Sequence, residues 1–94
     1  MKVYNLIIFG DNWMSSAIFG NLDDAIKEVK SMVEGQKRLE GENNVDSQEI
    51  KDYEALALPI YMNYGERKYA TKTRTLFRGE ITTTWRVVFE QEVK

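Results

Sequence analysis

The sequence predicts a small α+β domain in which an antiparallel sheet of four to five strands carries one or two helices on one face, in the order β-β-α-(α)-β-β-β. Three observations predict it. Short runs rich in Val, Ile, Tyr, Thr and Phe lie at both ends of the chain, one strongly amphipathic helical stretch lies between them, and the alternating strand-helix units of a parallel sheet are missing. At 94 residues, 43% hydrophobic and 30% charged, the chain is the size of one domain, read as 1-94 with a polar loop or insert at about 36-46.

Lys2 to Phe9 and Met14 to Phe19 read as paired strands joined through Gly10-Asp11-Asn12-Trp13. Trp13 stands out because a turn tip is usually polar; it either folds back over the sheet or offers itself to a partner. Asn21 then caps a helix, Asp23 and Asp24 sit in the first turn where the helix dipole favours negative charge, and Leu22, Ala25, Ile26, Val29, Met32 and Val33 recur on one face. Gly35 is the expected stop. Asp46-Ser47-Gln48-Glu49 resembles a capping box, so a second helix is expected to run to about Ala57 ahead of Pro59.

The last third reads as sheet. Ile60 to Asn63 is a short candidate strand, Arg67 to Phe77 a longer one, and Ile81 to Val93 the strongest, with turns at Tyr64-Gly65-Glu66 and Arg78-Gly79-Glu80. In the last strand Ile81, Thr83, Trp85, Val87 and Phe89 alternate with Thr82, Thr84, Arg86, Val88 and Glu90, and the Trp85 face is expected to be the core face.

Composition excludes a good deal of chemistry. With no cysteine and no histidine, thiol catalysis, disulfides, thiolate metal sites and imidazole acid-base work are closed. No phosphate loop, dinucleotide glycine fingerprint or nucleophile elbow is present. Asp23 and Asp24 are adjacent on a helix and do not face one another, so they make no acid-base pair. The acidic stretch from Glu40 to Glu49 lacks the spacing of a calcium loop. The expectation is a protein that is not an enzyme, with no cofactor and no metal. The apolar run at the N-terminus is interrupted by Asn5 and ended by Gly10, too short to span a bilayer, and the expected location is cytoplasmic.

Charge is distributed unevenly. The formal net charge is −2, from 13 basic and 15 acidic residues, but residues 1-56 carry a balance of −5 and residues 57-94 one of +3. Opposed potentials of this kind govern partner choice and association rate. The leading expectation is therefore a small acidic protein-interaction module that binds, and by binding inhibits, a larger partner through Glu40, Glu42, Asp46 and Trp13. The alternative is a nucleotide or nucleic-acid surface built from Arg67, Lys68, Lys72, Arg74 and Arg86, interleaved with Tyr61, Tyr64, Tyr69, Phe77 and Trp85, since phosphates call for fixed cations and bases for aromatic faces. The acidic pI of 5.2 weighs against it. An exposed edge strand is a further candidate contact, with a second copy of the chain.

In size, acidity, lack of cysteine and histidine, and mixed architecture, the chain resembles in general character many small phage and mobile-element proteins that block host defence by binding its components, anti-CRISPR proteins among them. The likeness rests on no residue-by-residue match and assigns no site. It implies a binding inhibitor of unspecified target.

Overall fold

In the computed structural model, which describes residues 1-53 and 64-93, the described residues form one five-stranded antiparallel sheet with one helix packed across it. The strands are β1 (Lys2–Phe9), β2 (Met14–Phe19), β3 (Val45–Glu49), β4 (Glu66–Phe77) and β5 (Glu80–Glu92), in the spatial order β2-β1-β5-β4-β3. The helix is α1 (Leu22–Glu40). The two ends of the chain therefore meet at the centre of the sheet, where β1 pairs with β5 from Lys2 opposite Glu92 to Phe9 opposite Trp85.

Helix α1 starts where its cap predicts. The Asn21 side chain accepts from the Asp24 amide at 2.8 Å, and Asp23 and Asp24 occupy the first turn. It does not stop at Gly35, and the expected loop at 36-46 is mostly regular structure: helix to Glu40, a short 3-10 turn at Glu42–Asn44, then β3. The buried stripe of Ala25, Val29 and Val33 continues at Gln36, whose amide bonds to the Thr75 hydroxyl and to Arg86. Those contacts hold the helix to the sheet for another turn. The stop comes at Gly41, where φ is +95° and the amide closes on the Lys37 carbonyl at 2.9 Å.

The residues read as a capping box, Asp46 to Glu49, lie in β3, paired with Arg74 to Thr71 of β4. A capping pattern is local and the β3–β4 ladder is not, and the ladder wins because it pairs five successive residues with β4 and buries Val45. The expected continuation of a second helix beyond Tyr53 and the candidate strand at Ile60 to Asn63 lie outside the described residues.

Both faces of the sheet are covered at its centre. On the near face, α1 packs over Leu6, Ile8 and Val88, with Tyr4, Phe19 and Tyr69 at the margins. On the far face, Ile7, Ala70, Val87 and Phe89 are buried beneath Ile50, Tyr53 and Tyr64, with Phe9 and Trp85 alongside. The Trp85 face is thus a core face, as expected, through Val87 and Phe89, and the opposite face, the one carrying Arg86 and Val88, is a second one, taken by α1. Alternation cannot decide which face of β5 takes the helix, because Val87, Val88 and Phe89 are buried in succession.

A bulge between Arg67 and Tyr69 sets the register of β4 and makes Lys68 the extra residue. Its ammonium lies 3.2 Å from Glu66 and 3.7 Å from Glu90. Glu90 also accepts from Lys2 at 3.0 Å and from the Tyr4 hydroxyl at 3.2 Å. Those donors, Lys2 foremost, hold the Glu90 carboxyl below the usual carboxylate range. The folded state then binds fewer protons at this group than the unfolded chain, so the stabilisation is present at neutral pH and is lost as pH falls through the carboxylate range. Thermal melts from pH 7 down to about 3 will show a drop in Tm for the wild type that is smaller in Glu90→Gln.

Candidate functional site

The turn joining β4 to β5 is two residues long, Arg78-Gly79, with φ of +52° and +81°. Two consecutive positive φ values match the right-handed twist of the flanking strands and give a tight hairpin. That hairpin projects well past its neighbour, because β1 ends at Phe9 opposite Trp85 while β5 begins five residues earlier at Glu80. Its apolar side chains lack cover: Leu76 is 46% exposed, Phe77 51% and Ile81 59%. Leu76 and Ile81 are cross-strand partners and share the far face.

Beside them, the 3-10 turn and β3 close an open groove of about 250 Å³, lined by Asn43, Asn44, Asp46, Arg74, Leu76 and Ile81 together with Thr75. Asp46 and Arg74 are opposed in the β3–β4 ladder. The Asn44 amide donates to the Glu40 carbonyl at 2.8 Å, tying the turn to the end of α1. Glu40 and Glu42 thus flank the groove that Asp46 lines. Trp13 does not join them. It lies on the β1–β2 turn, on the other side of the projecting hairpin, 49% exposed and with its indole laid across Gly10 so closely that a Cβ there would clash with Nε1. The indole thus folds back onto its own turn, and half of the residue faces solvent.

The five basic residues are dispersed. Arg67 donates to the Tyr53 carbonyl at 2.5 Å. Lys68 is held between Glu66 and Glu90. Lys72 and Arg74 share the far face, where the Lys72 ammonium lies 5.1 Å from the centroid of Trp85, which is itself stacked on Phe9 at 6.2 Å. Arg86 is on the near face under α1, only 7% exposed. The aromatics are dispersed too, since Tyr64 sits edge-on to Phe89 and Tyr69 packs against the core beneath α1, while Tyr61 lies outside the described residues. Sequence reasoning missed Leu76 and Ile81, although two exposed apolar partners flanking a two-residue turn are legible once the register is known, and it missed the Phe9–Trp85 pair because nothing local joins the two ends of the chain.

A second hollow lies under α1, lined among others by Lys30, Lys37, Glu34, Glu49 and Thr71. Two lysines and two glutamates leave it without a preference for either sign of charge. Among the described residues no group of three or more acidic side chains is placed to hold a metal ion, and no helix is long and apolar enough to cross a membrane. Compared with protein-family models, curated proteins and solved structures, the chain matches none of them.

Arg86 is the unusual buried group. Burial pushes its pKa down, and its guanidinium donates to the Thr73 hydroxyl at 3.1 Å and the Gln36 side-chain oxygen at 3.4 Å, while Nε has no partner. Neutral acceptors compensate a buried cation poorly. Thr73 also bonds to Ser47 at 3.1 Å and so keeps a partner without the arginine, while Gln36 keeps its Nε2 bond to Thr75 and its side-chain oxygen, on a half-buried residue, can turn to water. Arg86→Met will therefore leave stability unchanged or raise it by up to about 2 kcal/mol, whereas Gln36→Ala will lower it by about 1 kcal/mol. Urea unfolding of the two variants measures both, and a loss of stability in Arg86→Met would show that the cation is compensated.

Proposed function

We propose that the protein is a non-enzymatic interaction module that docks a larger protein partner on the groove at the corner of β3, β4 and β5. The observation that carries this reading is the contiguity of exposed Leu76 and Ile81 with Asp46 and Arg74. An apolar centre with a charged and amide rim is the arrangement by which protein surfaces recognise one another. Glu40 and Glu42 add negative potential beside it, which steers a basic partner surface and raises its association rate. The groove's own side chains offer one carboxylate, one guanidinium, amides and a hydroxyl, suited to recognition rather than to bond making. Its mode of action is then occlusion, in keeping with the general likeness to small proteins that block host defence by binding.

The nucleic-acid reading draws on Lys72 and Arg74 beside the Phe9–Trp85 pair. It is the weaker one, because Arg67, Lys68 and Arg86 are engaged elsewhere and Lys72 already covers part of Trp85.

The test uses tagged protein as bait in nuclease-treated lysate of its source cells, beside the double variant Leu76→Asp with Ile81→Asp. Both positions are exposed at a strand tip, so the variant keeps the wild-type circular dichroism. The wild type will retain a stoichiometric protein that the variant loses, and charge reversal at Glu40 and Glu42 will slow association by roughly tenfold at low salt. Equal retention by the folded double variant overturns the groove as the docking site. Retention of nucleic acid alone, falling steeply with salt, transfers the function to the basic far face.

A further inference from the structure

The two outer edges of the sheet differ. Strand β3 carries Asp46 and Glu49 and is followed by Lys51, the charges with which edge strands discourage pairing. Strand β2, Met14-Ser15-Ser16-Ala17-Ile18-Phe19, carries no charge and no proline, and pairs with β1 without a bulge. Its far-face side chains are open, Met14 49% exposed and Ile18 70%. Among the described residues nothing pairs with its outer edge.

The outward hydrogen-bonding groups can be assigned. The Gly10 amide donates to the Trp13 carbonyl at 3.1 Å, closing the hairpin. Bonded and non-bonded pairs alternate along an antiparallel ladder, so Ser15, Ala17 and Phe19 bond to β1, and Met14, Ser16 and Ile18 aim their N–H and C=O groups outward. The bond from the Val93 amide to the Met1 carbonyl, 2.7 Å, fits the same alternation on the other side of β1.

We propose that β2 pairs antiparallel with β2 of a second copy of this chain, about a two-fold axis normal to the sheet at Ser16. Such an axis keeps both helices on one side, and it requires partners whose positions have the same face in both copies. Centring on Ser16 meets that requirement and uses every outward group: Ser16 pairs with Ser16, and Met14 with Ile18 in both directions, for six backbone hydrogen bonds. The same register lays Met14 against Ile18 twice on the far face, removing both from water, and brings Trp13 opposite Phe19. No charged side chain lies within the paired strands. Centring on Ala17 instead would oppose Ser15 with Phe19, bond Ser16 to Ile18 in both directions, and set Met14 against Gly20 beyond the strand, leaving four bonds within β2 and no Met14–Ile18 contact. The self-pairing edge is across the sheet from the β3 groove, and the pairing stands independently of what docks there.

Three variants test it in the full chain. Sedimentation of the wild type will show the average mass rising with concentration from that of one chain toward twice it. Ser16→Pro removes an outward amide that the monomer does not use, so it will keep the wild-type circular dichroism and sediment as a monomer at every concentration. The chain has no native cysteine, and bonded partners stand about 5.5 Å apart at Cα, within disulfide reach. Ser16→Cys will therefore cross-link to a covalent dimer under mild oxidation far faster than Ser15→Cys. A wild type that stays monomeric, a Ser16→Pro that still dimerises, or equal cross-linking of the two cysteine variants would overturn the proposal.

Discussion

Everything in this fold depends on the burial of three successive residues of β5. Val87, Val88 and Phe89 point alternately to the two faces and are all buried, so the strand must have a layer on each side and a strand on each edge. The layer above is α1 and the one below includes Ile50, Tyr53 and Tyr64. The edges are β1 and β4. The strand order follows, because the first and last strands of the chain have to lie side by side for β5 to be central.

That centrality explains the fate of the basic residues. A strand covered on both faces cannot present a row of cations, and its own cation, Arg86, is drawn in under the helix. Lys68 is diverted by the bulge into a network with Glu66 and Glu90. What remains on the open part of the far face is a short cationic segment, Lys72 and Arg74, bounded by aromatics and by Asp46. Charge counted along the chain therefore overstates the basic surface, and the exposed apolar pair Leu76 and Ile81 is the more distinctive feature of that corner.

Much of the architecture is legible in the sequence where the signal is local. The bounds of β1 and β2, the Asn21 cap, and the turn at Arg78-Gly79 follow from composition and turn chemistry. The misread elements share a different cause. Gly35 reads as a stop, yet contacts of Gln36 with Thr75 and Arg86, far along the chain, carry the helix past it. Asp46 to Glu49 reads as a helix start, yet the strand partner that overrides this lies more than twenty residues away. Which face of β5 takes the helix is illegible because Val87 and Val88 are equally apolar. Of the candidate site, Asp46 and Arg74 are singled out by charge for two rival surfaces, and only the register brings them opposite one another.

The projecting hairpin gives the molecule two mechanical regimes along a single strand. From Trp85 to Glu90, β5 is clamped by neighbours on both edges, the setting in which amides exchange with solvent only on wide opening of a domain. From Glu80 to Thr84 it has a partner on one edge alone, and that is the end where local fraying costs least. The groove at β3 is built partly on the fraying end. It can adjust its shape to an incoming surface while the clamped end stays fixed, and the cost of ordering it on binding is confined to a few residues at the tip.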